Sequence, residues 1–352
     1  MAGLKKTIIR GGLETLFFSG AHHLLRPWLG GVGAVLMLHH VRPARLDAFA
    51  PNRHLEVTPE FLARLVGWLK RSGLDIVSLD EMHRRMVERD FGRRFVCITF
   101  DDGYHDNREF AYPILKQHDA PFAIYVASSF PDRLGELWWL ALEAVIARNP
   151  RISVALDGEE RTFECADVDG KRMTYAALYA WLRSRTTERE IRDTVRDLAS
   201  RYQVDVAAFC GQLCMGWDEI AALAADPLVT IGAHTISHPM LAKVSEPAMR
   251  SEMDGSRAAI TAALGRQPEH LAYPVGDPVA AGPREFAAAA DLGFRTAVTT
   301  RPGVLFSEHR DHLTALPRLS VNGDFQQLRH MSVLLSGAAT AMWNGFRRVD
   351  AA

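Results

Sequence analysis

The stretch from Phe95 to Tyr104 constrains the fold of this chain more than any other. Six mostly apolar residues, Phe95 to Phe100, lead directly into two adjacent carboxylates, Asp101 and Asp102, and then a glycine. A short apolar run bounded by turn residues predicts a strand buried on both faces, as in a parallel sheet. Loops at the carboxyl ends of such strands carry the chemistry of α/β folds. The stretch therefore predicts a functional site here, against the simpler interpretation of a solvated Asp-Asp-Gly turn.

Two ionised carboxylates this close repel each other, so Asp101 and Asp102 need different surroundings. A cation bound to one of them would remove the repulsion and leave the other free to act as a base. The pair alone does not say which carboxylate has which role.

A second polar cluster follows another β-branched run, Val229 to Ala233. His234 and His238 are four residues apart, a spacing that can bring two imidazoles to one metal ion. Two imidazoles and one carboxylate, with a position open for water, are the ligand count of a catalytic zinc site. One such pair among 14 histidines is weak on its own, and the aspartate pair upstream is what strengthens it.

Three ordered motifs resemble those of the polysaccharide deacetylase family, the NodB-homology carbohydrate esterases. They are Thr99 to Gly103, His234 to Pro239 and Ala272 to Gly276, and the resemblance covers roughly Val35 to Asn322 with an insertion inside it. It implies an α/β fold, a distorted (β/α) barrel. It also implies a divalent metal, usually zinc, and removal of an acetyl group from an N-acetylated sugar.

The resemblance implies a set of metal ligands and a base. We expect Asp102, His234 and His238 to hold the metal, which polarises the acetamide carbonyl and lowers the pKa of bound water toward ~7. Asp101 is then the base that takes a proton from that water.

Three further residues are predicted at the substrate. The backbone N–H of Tyr104 is expected to help hold the oxyanion. Tyr273 and Pro274, within the third motif, are expected beside the sugar.

The motifs leave a choice among several histidines for the general acid. The family's usual histidine lies near the C-terminus in a Leu-x-His pattern, and Leu316 to Val321 contains no histidine. Members with a permuted motif order carry it after the first strand, and His39 is similar to that arrangement. Since adjacent strand residues point to opposite faces, one of His39 and His40 faces the site. We favour His39 over His40, with His312 a weaker third candidate.

An arginine that often opens the third motif in this family, and holds the catalytic aspartate, is missing from this chain. His270 stands nearby instead. Arg318 is the predicted replacement, paired with Asp101. The alternative is an arginine on the surface.

The coarse pattern predicts four parts. Residues 1–32 form an amphipathic helix, 33–130 and 216–324 the barrel, 131–215 a mixed insertion, and 325–352 a C-terminal helix. Within the insertion, Trp138 and Trp139 either stack on a sugar ring or belong to a core.

Composition narrows the partners and the compartment. The chain is 48% apolar and 24% charged with a net charge of −1, which gives no case for nucleic acid. Its four cysteines are too few for a disulfide scaffold, so free thiols in a reducing compartment are expected.

Residues 1–30 carry apolar side chains at helical spacing, but charged residues interrupt them. Neither a secretory signal nor a bilayer span is therefore predicted. The segment packs on the domain or lies on an anionic membrane surface. We expect a cytoplasmic protein, with peripheral contact on the inner face of the membrane as the alternative, that acts on a glycan, a glycolipid or an activated-sugar precursor.

Other functions fit the same residues. They are a glycan-binding barrel without activity, a metal hydrolase of another amide or ester, and a structural metal site in which protein ligands fill every position.

Overall fold

The computed structural model describes residues 2–350, with side chains from Lys6 onward. Its strands are, in chain order, β1 (Gly33–Leu38), β2 (His40–Val41), β3 (Glu56–Val57), β4 (Asp75–Ile76), β5 (Phe95–Phe100), β6 (Phe122–Val126), β7 (Arg151–Leu156), β8 (Glu159–Glu164), β9 (Val229–Ala233), β10 (His270–Ala272), β11 (Thr296–Pro302) and β12 (Leu316–Ser320).

The helices lie mainly between these strands. They are α1 (Ala2–Phe18), α2 (Ala21–Leu29), α3 (Pro59–Arg71), α4 (Leu79–Glu88), α5 (Tyr112–Gln117), α6 (Trp138–Arg148), α7 (Val168–Ser184), α8 (Glu188–Arg201), α9 (Ala207–Leu213), α10 (Trp217–Ala224), α11 (Glu246–Leu264), α12 (Pro283–Asp291), α13 (Leu328–Leu335) and α14 (Ala338–Trp343). Short 3₁₀ turns cover Pro51–Leu55, Leu241–Lys243 and Ser307–Asp311, and a π-helical turn covers Asn107–Ala111.

Seven parallel strands close into a barrel in the order β1-β12-β11-β10-β9-β6-β5, because β5 pairs with β1 as well as with β6. The predicted distorted (β/α) barrel is therefore confirmed. β4 extends the sheet outside β5. Every residue of β1 and of β5 is buried, as expected of strands that carry helices outside and side chains inside the barrel.

The register of β1 on β5 sets the geometry of the site. Leu38 lies opposite Phe100, and the backbone N–H of Asp101 donates to the carbonyl oxygen of Leu38 at 3.0 Å. The residue after each strand, His39 and Asp101, therefore emerges at the same level of the barrel's carboxyl end.

The segment predicted as an insertion builds its own core beside the barrel. The two short strands expected there form an antiparallel hairpin, β7 with β8. Helices α6 to α9 pack around a separate cluster of buried apolar side chains, which includes Trp138 and Trp139.

Each terminal segment is a pair of helices, which corrects the prediction of one helix at each end. The N-terminal pair breaks at Gly20, which has φ +72°. The C-terminal pair breaks at Gly337, which has φ +74°, and a Cβ there would collide with the carbonyl oxygen of Leu29. Both glycines adopt the left-handed conformation that ends helices. The predicted boundaries between the parts of the chain stay predictions.

No helix within residues 2–350 is long and apolar enough to cross a membrane.

Candidate metal centre

The three predicted metal ligands converge at the carboxyl end of the barrel. Oδ1 of Asp102 lies 3.4 Å from Nε2 of His234 and 3.3 Å from Nε2 of His238. All three side chains are buried, and their ligand atoms lie within 4.8 Å of one another. Two ligand atoms at ~2.1 Å from a tetrahedral ion stand about 3.4 Å apart, so this spacing fits zinc.

One oxygen of the carboxylate in this cluster has no hydrogen-bond donor among the described residues. Oδ1 of Asp102 is buried and accepts no hydrogen bond within the described part of the chain. A buried carboxylate oxygen without a donor is costly, and a cation is the partner that removes that cost. The donor set and the orphaned oxygen therefore both fit a divalent metal.

Second contacts orient the two imidazoles. Nδ1 of His234 donates to the carbonyl oxygen of Ala272 at 2.7 Å, which turns Nε2 toward Asp102. The ring of His238 lies against Trp139, with 5.0 Å between ring centroids. One ligand is thus fixed by a strand of the barrel and the other is held by an aromatic ring of α6.

Strained backbone is concentrated around these ligands. The backbone angle φ is +73° at Asp102, +65° at Thr235, +60° at His238 and +62° at Val275. Positive φ is a genuine outlier for the β-branched Thr235 and Val275. Strain of this kind persists only where the surrounding structure enforces it, and it is typical of functional sites.

Glu252 of α11 holds the loop that carries both histidines. Its Oε2 accepts from the backbone N–H groups of Ile236 and Ser237 at 2.8 Å each, and its Oε1 accepts from the hydroxyl of Ser237 at 2.7 Å. The sequence prediction missed this residue, because nothing near Glu252 in the chain marks it as a partner of the His234–His238 loop.

Asp101 is surrounded quite differently from Asp102. Nη1 and Nη2 of Arg318 donate to its two carboxylate oxygens at 2.7 Å each, and both side chains are buried. Burial opposes ionisation of Asp101, but the Arg318 guanidinium outweighs it and holds the pKa of this carboxyl below its ordinary value. The structure thus brings together the predicted pair and excludes the surface alternative for Arg318.

The two candidate histidines after β1 face opposite ways, as expected for adjacent residues. Nε2 of His39 lies 3.9 Å from Oδ2 of Asp101, with 17% of its side chain exposed. His40 is buried, donates from Nδ1 to Asp106 at 2.6 Å and stacks on Tyr104. Of the two, His39 alone lines the cavity, and its burial lowers its pKa to about 4. His312 is exposed and lies outside the cavity lining.

Of the three residues predicted at the substrate, Tyr104 is compatible with its predicted role, whereas Tyr273 and Pro274 lie outside the cavity. The Tyr104 ring is buried beneath the site, so only its main chain can serve the predicted oxyanion role. The prediction for Tyr273 needs correction: its hydroxyl donates to the carbonyl oxygen of Thr314 at 2.7 Å and its ring packs on Phe286 in the core. Pro274 also lies outside the cavity lining, and the residue after it, Val275, lines the cavity instead.

A cavity of about 210 Å³ opens beside these groups. The barrel, the Pro51–Leu55 turn and the insertion all contribute to its walls. The lining consists of Met37, His39, Asn52, His54, Leu55, Asp101, Asp102, Trp138, Trp139, Tyr179, His234, His238, Val275, Thr300 and Ser320.

The insertion supplies the aromatic wall of this cavity. Trp138 is 3% and Trp139 7% exposed, and the Trp138 ring stacks on Tyr179 with 5.4 Å between centroids. These rings therefore belong to a core and reach the cavity only at their edges. Asn52, His54 and Tyr179 were missed by the sequence prediction, since no motif surrounds them.

Comparison with known proteins agrees with this geometry. The family profile described as polysaccharide deacetylase matches residues 88–151 and 169–297, which is more than half of the chain. The gap between the two matched segments, residues 152–168, contains the β7–β8 hairpin except for its first residue, Arg151. The curated proteins contain no match.

Solved structures share the fold. A Streptococcus pyogenes deacetylase, PplD, in complex with acetate has a TM-score of 0.57 at 18% identity, covering 86% of this chain and 96% of that one. IcaB from Ammonifex degensii has a TM-score of 0.53 at 17% identity, covering 86% and 97%. A de-N-acetylase from Aggregatibacter actinomycetemcomitans has a TM-score of 0.52 at 15% identity, covering 86% and 99%.

Proposed function

The chain belongs to the polysaccharide deacetylase family, and from this premise we propose that it is a metal-dependent hydrolase of the acetamide of an N-acetylated sugar. The observation that carries the proposal is the convergence of Asp102, His234 and His238 beside an arginine-bound carboxylate, Asp101. A ligand cluster next to a separate base is what hydrolysis of an unreactive amide requires.

Asp102, His234 and His238 would hold the ion. Two nitrogens and one oxygen are a donor set typical of catalytic zinc, so zinc is the metal we propose. When bound, such an ion supplies Lewis-acid polarisation of the acetyl carbonyl and a water of lowered pKa.

Asp101 receives the proton of the attacking water. Its carboxylate stays ionised at neutral pH, because Arg318 keeps its pKa low. Arg318 also fixes the carboxylate in one orientation through two parallel hydrogen bonds. We assign Arg318 the part of a positioning residue, since it reaches the reaction only through Asp101.

His39 delivers a proton to the departing amine. With a pKa of about 4, the ring is neutral at neutral pH before the reaction begins. The proton that Asp101 has taken is the nearest source, since Nε2 of His39 is 3.9 Å from Asp101. Proton transfer from Asp101 to His39 and then to the amine returns both groups to their starting state.

The cavity suits a single sugar unit. Its volume of about 210 Å³ is below the ~300–1,000 Å³ of pockets that enclose a drug-sized ligand. We propose that the acetamido sugar enters and the rest of the glycan stays outside.

Metal content and acetate release test the proposal together. Purified protein is loaded with zinc and assayed on a panel of N-acetylhexosamine oligomers, beside Asp102→Ala and His238→Ala. The control is His312→Ala, an exposed histidine outside the cavity. We expect about one zinc per chain and acetate release for wild type and the control, and neither for the two ligand variants.

Two results would overturn the proposal. A chain that binds no metal after loading contradicts the ligand assignment. A chain that binds metal but releases no acetate across the panel contradicts the activity and favours a glycan-binding barrel. Release from simple esters or other amides alone would change the substrate class.

The cytoplasmic location stays a proposal, together with a precursor as substrate. Cell fractionation tests it, and processed protein outside the cytoplasmic membrane would contradict it.

A further inference from the structure

The terminal helix pairs expose a group of large apolar side chains. Among the described residues, eight of the thirteen exposed large hydrophobic side chains lie on α1, on α2, on α14 or just after α14. We define the terminal apolar surface as the six of these that lie from the end of α1 onward and are more than half exposed: Phe18, Leu24, Trp28, Met342, Trp343 and Phe346.

These side chains face outward because the other sides of their helices are anchored. His22 of α2 is buried and donates from Nδ1 to the carbonyl oxygen of Leu16 at 2.9 Å. The end of α2 packs on α14, where Gly337 lies against Leu29. Leu24 and Trp28, one helical turn apart, are left on the opposite side of α2. The apolar stripe of α2 thus faces solvent, the reverse of an ordinary packed helix.

The charge of these segments differs from that of the rest. Residues 1–30 and 336–352 contain six Lys or Arg and two acidic residues, whereas the whole chain has a net charge of −1. The side chains of Arg26 and Arg347 form no ion pair within residues 6–350. Tryptophan and other large apolar side chains beside unpaired cations are typical of proteins that bind an anionic membrane interface. An ordinary homodimer interface depletes charge at its centre and offers no reason for this excess of cations.

The position of this surface in the fold sets an orientation. α2 leads into the amino end of β1, whereas His39 and the metal cluster lie beyond its carboxyl end. A six-residue strand is about 20 Å long, so the surface and the cavity lie at opposite ends of the barrel.

We propose that the terminal apolar surface docks the protein on an anionic lipid bilayer, with the mouth of the active-site cavity directed away from the lipid. The mouth then opens to the aqueous phase, so a soluble activated sugar or a glycan that extends from the surface can reach it, whereas a glycolipid sugar at the level of the headgroups cannot. The docking itself is independent of the proposed deacetylation, whereas the orientation of the mouth rests on it.

Vesicle co-sedimentation of the full chain tests the docking. Vesicles of phosphatidylcholine alone are compared with vesicles that also contain phosphatidylglycerol. Wild type is expected to sediment with the anionic vesicles, and less as salt is raised. Leu24→Ser/Trp28→Ser should weaken this binding by about tenfold or more, because it removes two inserted side chains. Arg26→Glu/Arg347→Glu should weaken it by a similar factor, of about tenfold, on anionic vesicles.

The control is Val87→Ser/Met173→Ser, which removes two exposed apolar side chains from α4 and α7, outside this surface. It should bind as wild type does, and all variants should keep the wild-type circular dichroism spectrum. Docking would be overturned if wild type did not sediment with anionic vesicles, or if both surface variants bound these vesicles as tightly as wild type does. It would also be overturned if the wild-type protein bound no vesicles but formed a dimer in solution that Leu24→Ser/Trp28→Ser dissociates.

The orientation has its own test. Deacetylation of a soluble substrate should proceed at the same kcat/KM with and without saturating anionic vesicles, since the mouth stays in water. If vesicles lowered kcat/KM for the proteins that bind them and not for the variants that do not, the bilayer would cover the mouth and the proposed orientation would be wrong.

Discussion

Asp101 and Asp102 are neighbours in the chain, yet the two sides of the cavity surround them with different partners. On one side, Arg318 donates two hydrogen bonds to Asp101, and its charge balances the carboxylate. On the other, Asp102 faces two imidazoles and its Oδ1 accepts no hydrogen bond within the described residues. One buried carboxylate is therefore balanced by an arginine, whereas the other has two imidazoles as its nearest partners and suits a bound cation.

This difference supports the two roles that the sequence left to the family resemblance and that we propose here. A carboxylate already fixed by an arginine is a poor metal ligand but a well-positioned base. A carboxylate with an orphaned oxygen beside two imidazoles is well placed to bind a metal ion. Asp102 also has a left-handed backbone, with φ +73°, so the chain leaves its extended path directly after Asp101.

The largest expected effect is that of Asp101→Asn, which should remove the proposed base and leave the proposed metal ligands intact. We expect kcat to fall by about 10⁴-fold, the upper end for loss of a general base, because the amide cannot accept the proton. Zinc content should remain that of wild type, since Oδ1 of Asp102 and both imidazoles are untouched. Metal analysis of the same preparation checks this.

The matched variant is Asp102→Asn, one residue away. It should lose activity together with tightly bound zinc. Equal zinc loss in both variants would mean that Asp101 is also a ligand and would remove the distinction between the two sides.

Arg318→Met tests the compensated side through stability. Removing the arginine leaves the Asp101 carboxylate buried without its partner, which is expected to lower the free energy of unfolding by about 3–5 kcal/mol. Urea denaturation of metal-free protein measures it. Asp101→Asn/Arg318→Met should be more stable than Arg318→Met alone, because the uncompensated charge is gone. If Arg318→Met lost nothing, the pair would contribute nothing to folding.

The sequence was sufficient for the residues that follow apolar runs. Asp101, Asp102, His234 and His238 each come at or just after the end of a strand, and strand ends meet in a barrel. Arg318 was proposed for a different reason, namely that a motif arginine was missing and Arg318, in the late Leu316-Pro317-Arg318 stretch, could replace it. Local pattern and motif together therefore predicted the polar half of the site.

The rest depended on tertiary packing that no local pattern carries. Asn52 and His54 lie on a 3₁₀ turn and Tyr179 on an insertion helix, and only the packing of the insertion on the barrel brings them to the cavity. Tyr273 was misassigned because its motif resembles the family's, while its ring fits the core beside Phe286. A motif fixes the path of the chain more firmly than the direction of each side chain.

His39→Gln should lower kcat by about 10²-fold, less than Asp101→Asn, because water can replace a proton donor more easily than a positioned base. His40→Gln is the matched control, since His40 contacts Asp106 and Tyr104 outside the cavity. It should retain most of the activity, at some cost in stability. The reverse result, measured by acetate release, would assign the general acid to His40.

The smallest expected effect is on the pH dependence of the unfolding free energy of the metal-free protein, which should differ between the two carboxylates. The Arg318 guanidinium lowers the pKa of Asp101, so the resulting stabilisation is complete above the ordinary pKa of 3.8 and is lost only below it. Burial opposes protonation of His234, but the carboxylates of Asp102 and Asp101 outweigh it and raise the pKa of the imidazole above its ordinary 6.5. A raised pKa stabilises the folded state fully below 6.5 and ceases to do so as pH rises through the folded value.

Urea denaturation with chelator, between about pH 5 and 9, measures both contributions. The difference in unfolding free energy between wild type and Asp101→Asn should decrease less toward high pH, because Asp101 raises the pKa of His234 through its charge alone. The difference between wild type and Asp102→Asn should decrease toward high pH by up to ~1.4 kcal/mol per pH unit for one proton, because a neutral His234 no longer balances the carboxylate. Zinc should restore the lost stability of wild type but not of Asp102→Asn. If both differences stayed flat, Asp102 would be compensated without an ion, and the contrast between the two carboxylates would fail.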